Sequence, residues 1–580
     1  MTNHKQLPAD VFVPDHLLGG AQNGQKVVVR LLSWKRHKQY PEGEIIDILG
    51  QAGDNDTEMN SILAQFGLPY QYPEEAEAQA NLIDVGITEQ EVLRRKDMRE
   101  VTTFTIDPAD AKDFDDAISI RRIPADEDSK ILISAEPRTI GKAVQRFQDS
   151  TFYEIGVHIA DVTHYVHPDT LLDKEAYQRA TSVYLVDRVV PMLPEHLSND
   201  ICSLRPDEDK LCFSVIFRLD AEANVIKYDI KRTVIRSNRR FSYDEAQERI
   251  ETGNGDYADE LRQLSGLAQK LRERRFRQGA VAFDRAEVAF RLDEEGRPLS
   301  VYFREQKEAN QLIEEFMLLA NRTVAEHIGN PPGRNANPKT FVYRVHDVPD
   351  PDKLQEFSSF IRNFGYQLDI SPNQSTAHSL NRLLKEVKGK PEQELIELLA
   401  VRSMAKAVYS TVNIGHYGLA FRYYTHFTSP IRRYPDMMVH RLLGEYMRGG
   451  KSAGRDEYEE RCKHCSEQEQ LAEAAERASV KYKQVEFMQN NIGQEFNGVI
   501  SGLTDWGIYV SLEENMCEGL IPMRVLSDRY ADWFYCSEDG MWLEGAQTGQ
   551  RFRLGEKVRV VLTEANLEKR QLDFDLVRGQ

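Results

Sequence analysis

Ile106-Asp107-Pro108-Ala109-Asp110-Ala111-Lys112-Asp113-Phe114-Asp115-Asp116-Ala117 decides how this chain is read. Five aspartates fall within ten residues, directly after the strand-like run Val101-Thr102-Thr103-Phe104-Thr105-Ile106. Carboxylates packed this densely repel one another, so the arrangement is costly unless a cation neutralises it or water screens it. Hard divalent ions such as Mg²⁺ take carboxylate oxygens together with waters and substrate phosphates. An Asp-rich turn and a calcium loop are the competing readings. The EF-hand loop needs Gly at its sixth position and Glu at its twelfth, where this chain has Lys112 and Ile118.

Outward from the cluster, residues 99 to 445 mix strand-like runs (FTIDP, YEIGVHIADV, KLCFSVIFRL) with helical ones at 308–328 and 393–410. No period of solenoid length recurs. A long polar helix is expected over 455–490. Residues 8–50 alternate as about three strands, few for a stable isolated domain, and a helical lead-in follows to residue 98. The last stretch reads as five short strands with Gly-rich turns, a small OB-type barrel. The expected plan is a β unit at 1–52, a lead-in at 53–98, a catalytic body at 99–490 closed by the 455–490 helix, and a barrel at 491–580.

The aspartate pattern D-x5-D-x-D-D resembles the signature of the RNB exoribonucleases, the family of ribonuclease II and ribonuclease R. Three further stretches resemble the family's blocks in order. They are Gly156-Val157-His158-Ile159-Ala160-Asp161-Val162, then Ser182-Val183-Tyr184 with Val190-Pro191-Met192-Leu193-Pro194, then His426-Phe427-Thr428-Ser429-Pro430-Ile431-Arg432-Arg433-Tyr434. The resemblance covers nearly the whole chain and lies closer to the ribonuclease R branch. It implies an α+β multidomain protein, an RNB α/β catalytic domain flanked by OB-type β-barrels. The flanks are a partial cold-shock-like N-terminal unit and a C-terminal S1 domain.

The resemblance further implies processive 3′-to-5′ hydrolysis of single-stranded RNA to nucleoside 5′-monophosphates, assisted by Mg²⁺ with Mn²⁺ as a substitute. By position, Asp107, Asp113, Asp115 and Asp116 look like metal-site carboxylates, with Asp115 the one whose loss stops chemistry but not binding. Arg432 fits charge stabilisation at the scissile phosphate, because a guanidinium fork matches phosphate oxygens. Tyr184 resembles the aromatic that stacks on the last bases. Glu476 resembles a helix glutamate near the 3′ nucleotide, or is an exposed helix carboxylate. Trp506 and Tyr509 resemble the RNA-facing aromatics of an S1 barrel, where Pro522 replaces a histidine common in such domains; Phe496 is a third aromatic candidate or core. Asn310 and Glu314, four apart on one helix face, are candidates for lining an RNA channel. The alternative function is an RNB-fold RNA-binding regulator without catalysis.

Two departures from the family pattern stand out. Residues 10–48 resemble only the C-terminal part of a cold-shock domain, as though the chain were N-terminally shortened. Residues 123–150 sit where the family has a tight hairpin and are expected to form a surface excursion, which loop entropy tolerates.

The net charge of −19 argues against a generic nucleic-acid binder. Basic runs at Lys227–Arg240 and 272–277 remain candidates for RNA contact or for solvated faces. Six cysteines scattered through 580 residues fit a reducing compartment. Cys462-x-x-Cys465 brackets His464 on the charged helix; without a second ligand pair, zinc competes with two surface thiols. No apolar run reaches membrane-span length, and a cytoplasmic monomer without membrane contact is expected.

Overall fold

A computed structural model describes residues 10–34, 40–84, 86–123, 152–281, 287–331, 337–371, 374–390, 392–537 and 540–577. Its centre is a seven-stranded sheet. In spatial order the strands are Arg239–Ser242, Thr103–Asp107, Asp116–Ile123, Phe152–Ala160, Asp209–Asp220, Val225–Arg236 and Lys96–Asp97. The five middle strands run antiparallel to their neighbours, and the two outermost join in parallel. The inner strands are buried on both faces, which explains why YEIGVHIA and KLCFSVIF read as continuous apolar runs rather than alternating ones. Each such Val, Ile or Phe contributes about 1.5–3 kcal/mol by leaving water.

Polar residues also sit in this core. His158 is fully buried, and its two ring nitrogens meet Ser214 Oγ and Ser119 Oγ, each at 2.8 Å. Gly156 makes room for that ring, because a Cβ there would lie 2.3 Å from His158 Nε2. The Gly-x-His spacing is therefore a packing requirement.

Helices cover the sheet. Glu308–Gly329 forms as the pattern predicts. The run at 393–410 differs: the helix ends at Ser403, Met404 turns extended, and Val408–Ser410 pairs with Tyr343–Val345 instead. Helix Arg455–Met488 matches the long polar prediction. Cys462 and Cys465 are not surface thiols, however. Both are free and buried against the body, and His464 meets the Tyr177 carbonyl at 2.9 Å.

The flanking units follow the expected order. Strands Gln25–Ser33 and Glu42–Gln51 pair at the N-terminal end, joined by a bridge from Phe12, so among the described residues two strands and a bridge stand where about three strands were expected. At the other end, Glu495–Thr504, Gly507–Leu512, Glu518–Pro522, Gln571–Leu576 and Lys557–Asn566 close a five-stranded barrel. Phe496 packs in that barrel's core, which decides between its two readings. Lys483 ties the units together: fully buried, its Nζ donates to Asn55 Oδ1 at 2.7 Å, Gly296 O at 2.6 Å and Glu486 Oε2 at 2.8 Å.

The basic runs are largely consumed by the fold. Arg232 pairs with Asp161, Arg236 with Asp209, and Arg239 with Glu245 and Asp256. In the second run, Arg275 is buried against Glu315 and Glu314, and Arg274 donates to the carbonyls of Ala223 and Glu222. The 123–150 excursion lies outside the described residues, apart from Ile123, which pairs with Phe152 across the two flanking strands. Among the described residues, no helix is long and apolar enough to cross a membrane.

Candidate active site

The aspartate stretch is the turn between two neighbouring core strands. Asp107 ends Thr103–Asp107, and Asp116 begins Asp116–Ile123. The strands are held by apolar side chains below, so the carboxylates between them are forced together at one edge of the sheet. Burial raises the pKa of all four signature aspartates. For Asp107, repulsion from Asp116 and then Asp113 adds to the burial effect; for Asp115, repulsion from Asp113 and Asp116 does. Arg432 opposes the rise at Asp113, Asp115 and Asp116.

The loop His426–Arg432 reaches this edge from the far end of the sequence. Ile431 N–H donates to Asp115 Oδ1 at 2.8 Å, and Arg432 Nε faces Asp115 Oδ2 at 3.5 Å. Arg432 also donates to Ser429 Oγ at 2.9 Å and keeps 39% of its side chain open to solvent. The loop is braced from behind. Asp436, in the first turn of helix Tyr434–Met447, accepts Ser429 N–H at 2.7 Å and holds Arg433 through two hydrogen bonds of 3.0 and 2.9 Å. Asn321 Oδ1 accepts Phe427 N–H at 2.8 Å, and His440 Nε2 meets the Phe427 carbonyl at 2.7 Å. Arg433, the neighbour of the exposed Arg432, is thus a strut.

Tyr184 is brought to the same place. Ser182 N–H donates to the Arg432 carbonyl at 2.9 Å, and Thr181 bridges to Arg433. Burial of the phenol pushes its pKa up to about 12, and Arg432, Asp113 and Asp115 all act on it. The residue is nevertheless 37% exposed, so part of its side chain meets solvent beside the acidic edge. Helix Arg455–Met488 packs Ala472 and Ala475 against Val183 and Leu185. Glu476, next to Ala475, is exposed on that helix.

Not every expected residue joins this group. Trp506, 75% exposed, and the half-buried Tyr509 sit on the terminal barrel. Asn310 caps its own helix by accepting Lys307 N–H at 3.0 Å, and Glu314 pairs with Arg275 at 3.2 Å. Both side chains serve local structure.

Tyr243, which the sequence did not single out, and Arg240, the last residue of the first basic run, belong here. Strand Arg239–Ser242 pairs in parallel with Thr103–Asp107, setting Ser242 opposite Asp107. Ser242 then caps helix Tyr243–Thr252 in a capping box with Glu245. That places Tyr243 beside the acidic edge, where burial and the charges of Asp116 and Asp107 raise its pKa. Arg240 donates to the carbonyls of Pro108 and Ala109 at 2.5 and 2.9 Å, with its guanidinium 5.5 Å from the Phe114 ring centroid. Parallel pairing across some 130 residues leaves no local signal, which is why Tyr243 was not legible and why the basic run did not reveal where Arg240 sits.

The donor set suits a hard divalent cation. Asp107 Oδ2 and Asp115 Oδ2 are buried oxygens without a hydrogen-bond partner, and such orphans are costly unless something positive meets them. Among the described residues, no three of His, Cys, Asp and Glu converge to hold an ion by themselves. The four aspartates are therefore not one closed shell, and Asp115 is turned toward Arg432. An ion bound by one or two carboxylates and completed by waters and phosphate oxygens is the usual Mg²⁺ arrangement.

Comparison with known proteins now decides the family. The RNB domain family matches residues 95–449. The chain belongs to the RNB family. A cold shock domain matches residues 1–73 and an S1 RNA binding domain residues 489–576, so this RNB protein has the domain order of a ribonuclease R. It is 36% identical to ribonuclease R of Aquifex aeolicus, across 96% of this chain and 75% of that protein. It is also 36% identical to ribonuclease R of Thermotoga maritima, across 99% of this chain and 78% of that one. Mycoplasma genitalium RNase R in complex with ribose methylated single-stranded RNA superposes with a TM-score of 0.87 at 25% identity, covering 99% of this chain and 86% of that one. The yeast pseudonuclease Ssd1 shares the fold at a TM-score of 0.68 and 19% identity, covering 92% of this chain and 64% of that one.

Proposed function

We propose that this RNB-family 3′-to-5′ exoribonuclease shortens single-stranded RNA processively, releasing nucleoside 5′-monophosphates, with Mg²⁺ at the aspartate edge and Mn²⁺ as a working substitute. What carries the reading is the edge where Asp107, Asp113, Asp115 and Asp116 are gathered, with Arg432 acting on the last three. A divalent cation bound there supplies Lewis acidity toward the scissile phosphate and a more acidic water.

The chain's own residues do the rest. Asp107 and Asp116 present carboxylate oxygens at facing strand ends, and Asp113 adds negative charge from the turn. Asp115 holds Arg432 in place, and Arg432 offers a guanidinium to the phosphate as charge builds on its oxygens. Tyr184 supplies an aromatic face for a terminal base, which suits an enzyme indifferent to sequence. Glu476 sits near the 3′ nucleotide. Trp506 and Tyr509 grip RNA upstream on the S1 barrel. The protein acts as a monomer in the cytoplasm, a reducing setting that suits its six free thiols.

The test is a 5′-labelled single-stranded RNA incubated with Mg²⁺, then with EDTA, beside an Asp115→Asn variant. Stepwise shortening that both EDTA and the variant abolish is the expected result. RNA binding without any shortening overturns the catalytic reading and leaves an RNB-fold RNA-binding regulator. That alternative has a physical basis, since the fold is shared with a pseudonuclease.

A further inference from the structure

The S1 domain carries a second sheet outside its barrel. Strands Phe534–Cys536, Trp542–Gly545 and Arg551–Arg553 form it, in that order, all antiparallel. One face is apolar: Phe534, Leu543 and Phe552 are buried in the barrel's core cluster. The alternation of a strand then sends Tyr535, Trp542, Glu544, Arg551 and Arg553 to the opposite face, and Trp533 precedes Phe534 on that side. Trp533 is 60% exposed and Tyr535 40%.

This outer face has an unusual make-up for a solvent surface. Trp533 and Tyr535 have ring centroids 5.8 Å apart at 47°, and Tyr535 and Trp542 are 5.7 Å apart at 78°. The rings are tilted rather than stacked face to face, and Trp533 and Tyr535 keep ring surface open to solvent. Arg551 lies 4.7 Å from the Trp542 centroid and also pairs with Glu544, while Arg553 pairs across from Trp542. The face holds no aliphatic side chain among the residues named, which disfavours an ordinary hydrophobic protein interface. Aromatic faces interleaved with guanidinium groups are how single strands are held, bases on the rings and phosphates on the arginines.

We propose that Trp533, Tyr535 and Trp542, with Arg551 and Arg553, form an additional stacking platform for single-stranded RNA, separate from the barrel face of Trp506 and Tyr509. The occupant is the part of the substrate upstream of the segment in the catalytic cleft. The platform lengthens the grip on the chain without touching the chemistry. This rests on the reading of the protein as an RNA-degrading enzyme.

The experiment measures fluorescence anisotropy of labelled single-stranded RNAs, long and short, with the full chain carrying Asp115→Asn to prevent cleavage. Trp533→Ser with Trp542→Ser is expected to weaken binding of the long RNA roughly tenfold or more, while a short RNA held by the catalytic body loses little. Trp533→Phe with Trp542→Phe is expected to restore most of the long-RNA affinity, because a ring suffices for stacking. A measurement free of substitutions on the platform accompanies it: photo-crosslinking to 4-thiouridine RNA, with adducts expected in the peptide spanning 529–551. Equal long-RNA affinity in all variants, with crosslinks confined to other regions, overturns the platform and leaves the enzymatic reading intact. No binding of either RNA by the parent overturns both.

Discussion

The carboxylate of Asp115 accepts the backbone N–H of Ile431 at 2.8 Å, joining residues 316 positions apart. One oxygen is fixed by the loop's backbone; the other faces the Arg432 guanidinium. Asp115 therefore sets where Arg432 sits as well as contributing charge to the acidic edge. The two most widely separated parts of the site are made interdependent by a single side chain.

Asp115→Asn keeps the acceptor for Ile431 but removes the charge that faces Arg432. Turnover should fall by roughly 10²–10³ or more, with affinity for single-stranded RNA within a few-fold of the parent. Parallel kinetics and binding decide it; a comparable loss in both would mean that Asp115 organises the RNA path instead.

Arg432→Lys retains the charge and loses the planar fork. The drop in kcat should approach that of Arg432→Ala, on the order of 10², with little change in melting temperature, since the lysine keeps a charge facing Asp115 and the Arg433–Asp436 pair still braces the loop. Full activity in the lysine variant would show that a point charge is enough.

Cation binding should be visible as pH-dependent stability. The folded-state pKa values of the four aspartates lie above the ordinary carboxylate range, so the folded protein holds protons that the unfolded chain releases. With the cation absent, these groups lower stability progressively as pH rises above about 4. Mg²⁺ relieves the repulsion, so its stabilising shift should be larger near pH 8 than near pH 5, reaching about 2.7 kcal/mol at a hundredfold excess over Kd. Melting curves with Mg²⁺ and with EDTA measure this, and Asp107→Asn should shrink the difference.

Buried neutral histidines act in the opposite direction. Burial pushes His158 and His416 down to about 3 and His440 to about 4. The unfolded chain takes up protons below about pH 6.5 while the folded one does not, so their contribution is complete above that value and is lost as pH falls toward the folded pKa values. His158→Gln, which still reaches both serines, should flatten the acid limb of the melting-temperature profile. An unchanged limb would be evidence against this origin.

Lys483→Met removes the donor shared by Asn55, Gly296 and Glu486 and strands a carboxylate. The cost should be on the order of 3 kcal/mol, seen as a lower denaturation midpoint. Separate unfolding of the segment around Asn55 would show that the knot is what couples it to the body.

Local chemistry made much of this protein legible. The density of carboxylates at 107–116 marked out the acidic edge, because repulsion is read directly from spacing. Alternation disclosed the terminal barrel, and the four ordered blocks disclosed the family. Helix periodicity found Glu308–Gly329 and the long Arg455–Met488 helix. The same logic misread 393–410, where the pairing of Val408–Ser410 with Tyr343–Val345 outweighed helix propensity. It also left open whether the basic runs faced RNA; the fold pairs most of them internally.

What only tertiary structure decided is which residues meet across long separations. Parallel pairing of Arg239–Ser242 with Thr103–Asp107 recruits Tyr243 and Arg240, and the Ile431 contact aims Arg432. Burial converts the aspartates from acidic residues into groups with raised pKa values, and the contact with Asp436 makes Arg433 a strut. The physical reason is that sequence specifies charge and periodicity residue by residue. Desolvation and hydrogen-bond partners exist only once distant segments share one edge of the sheet.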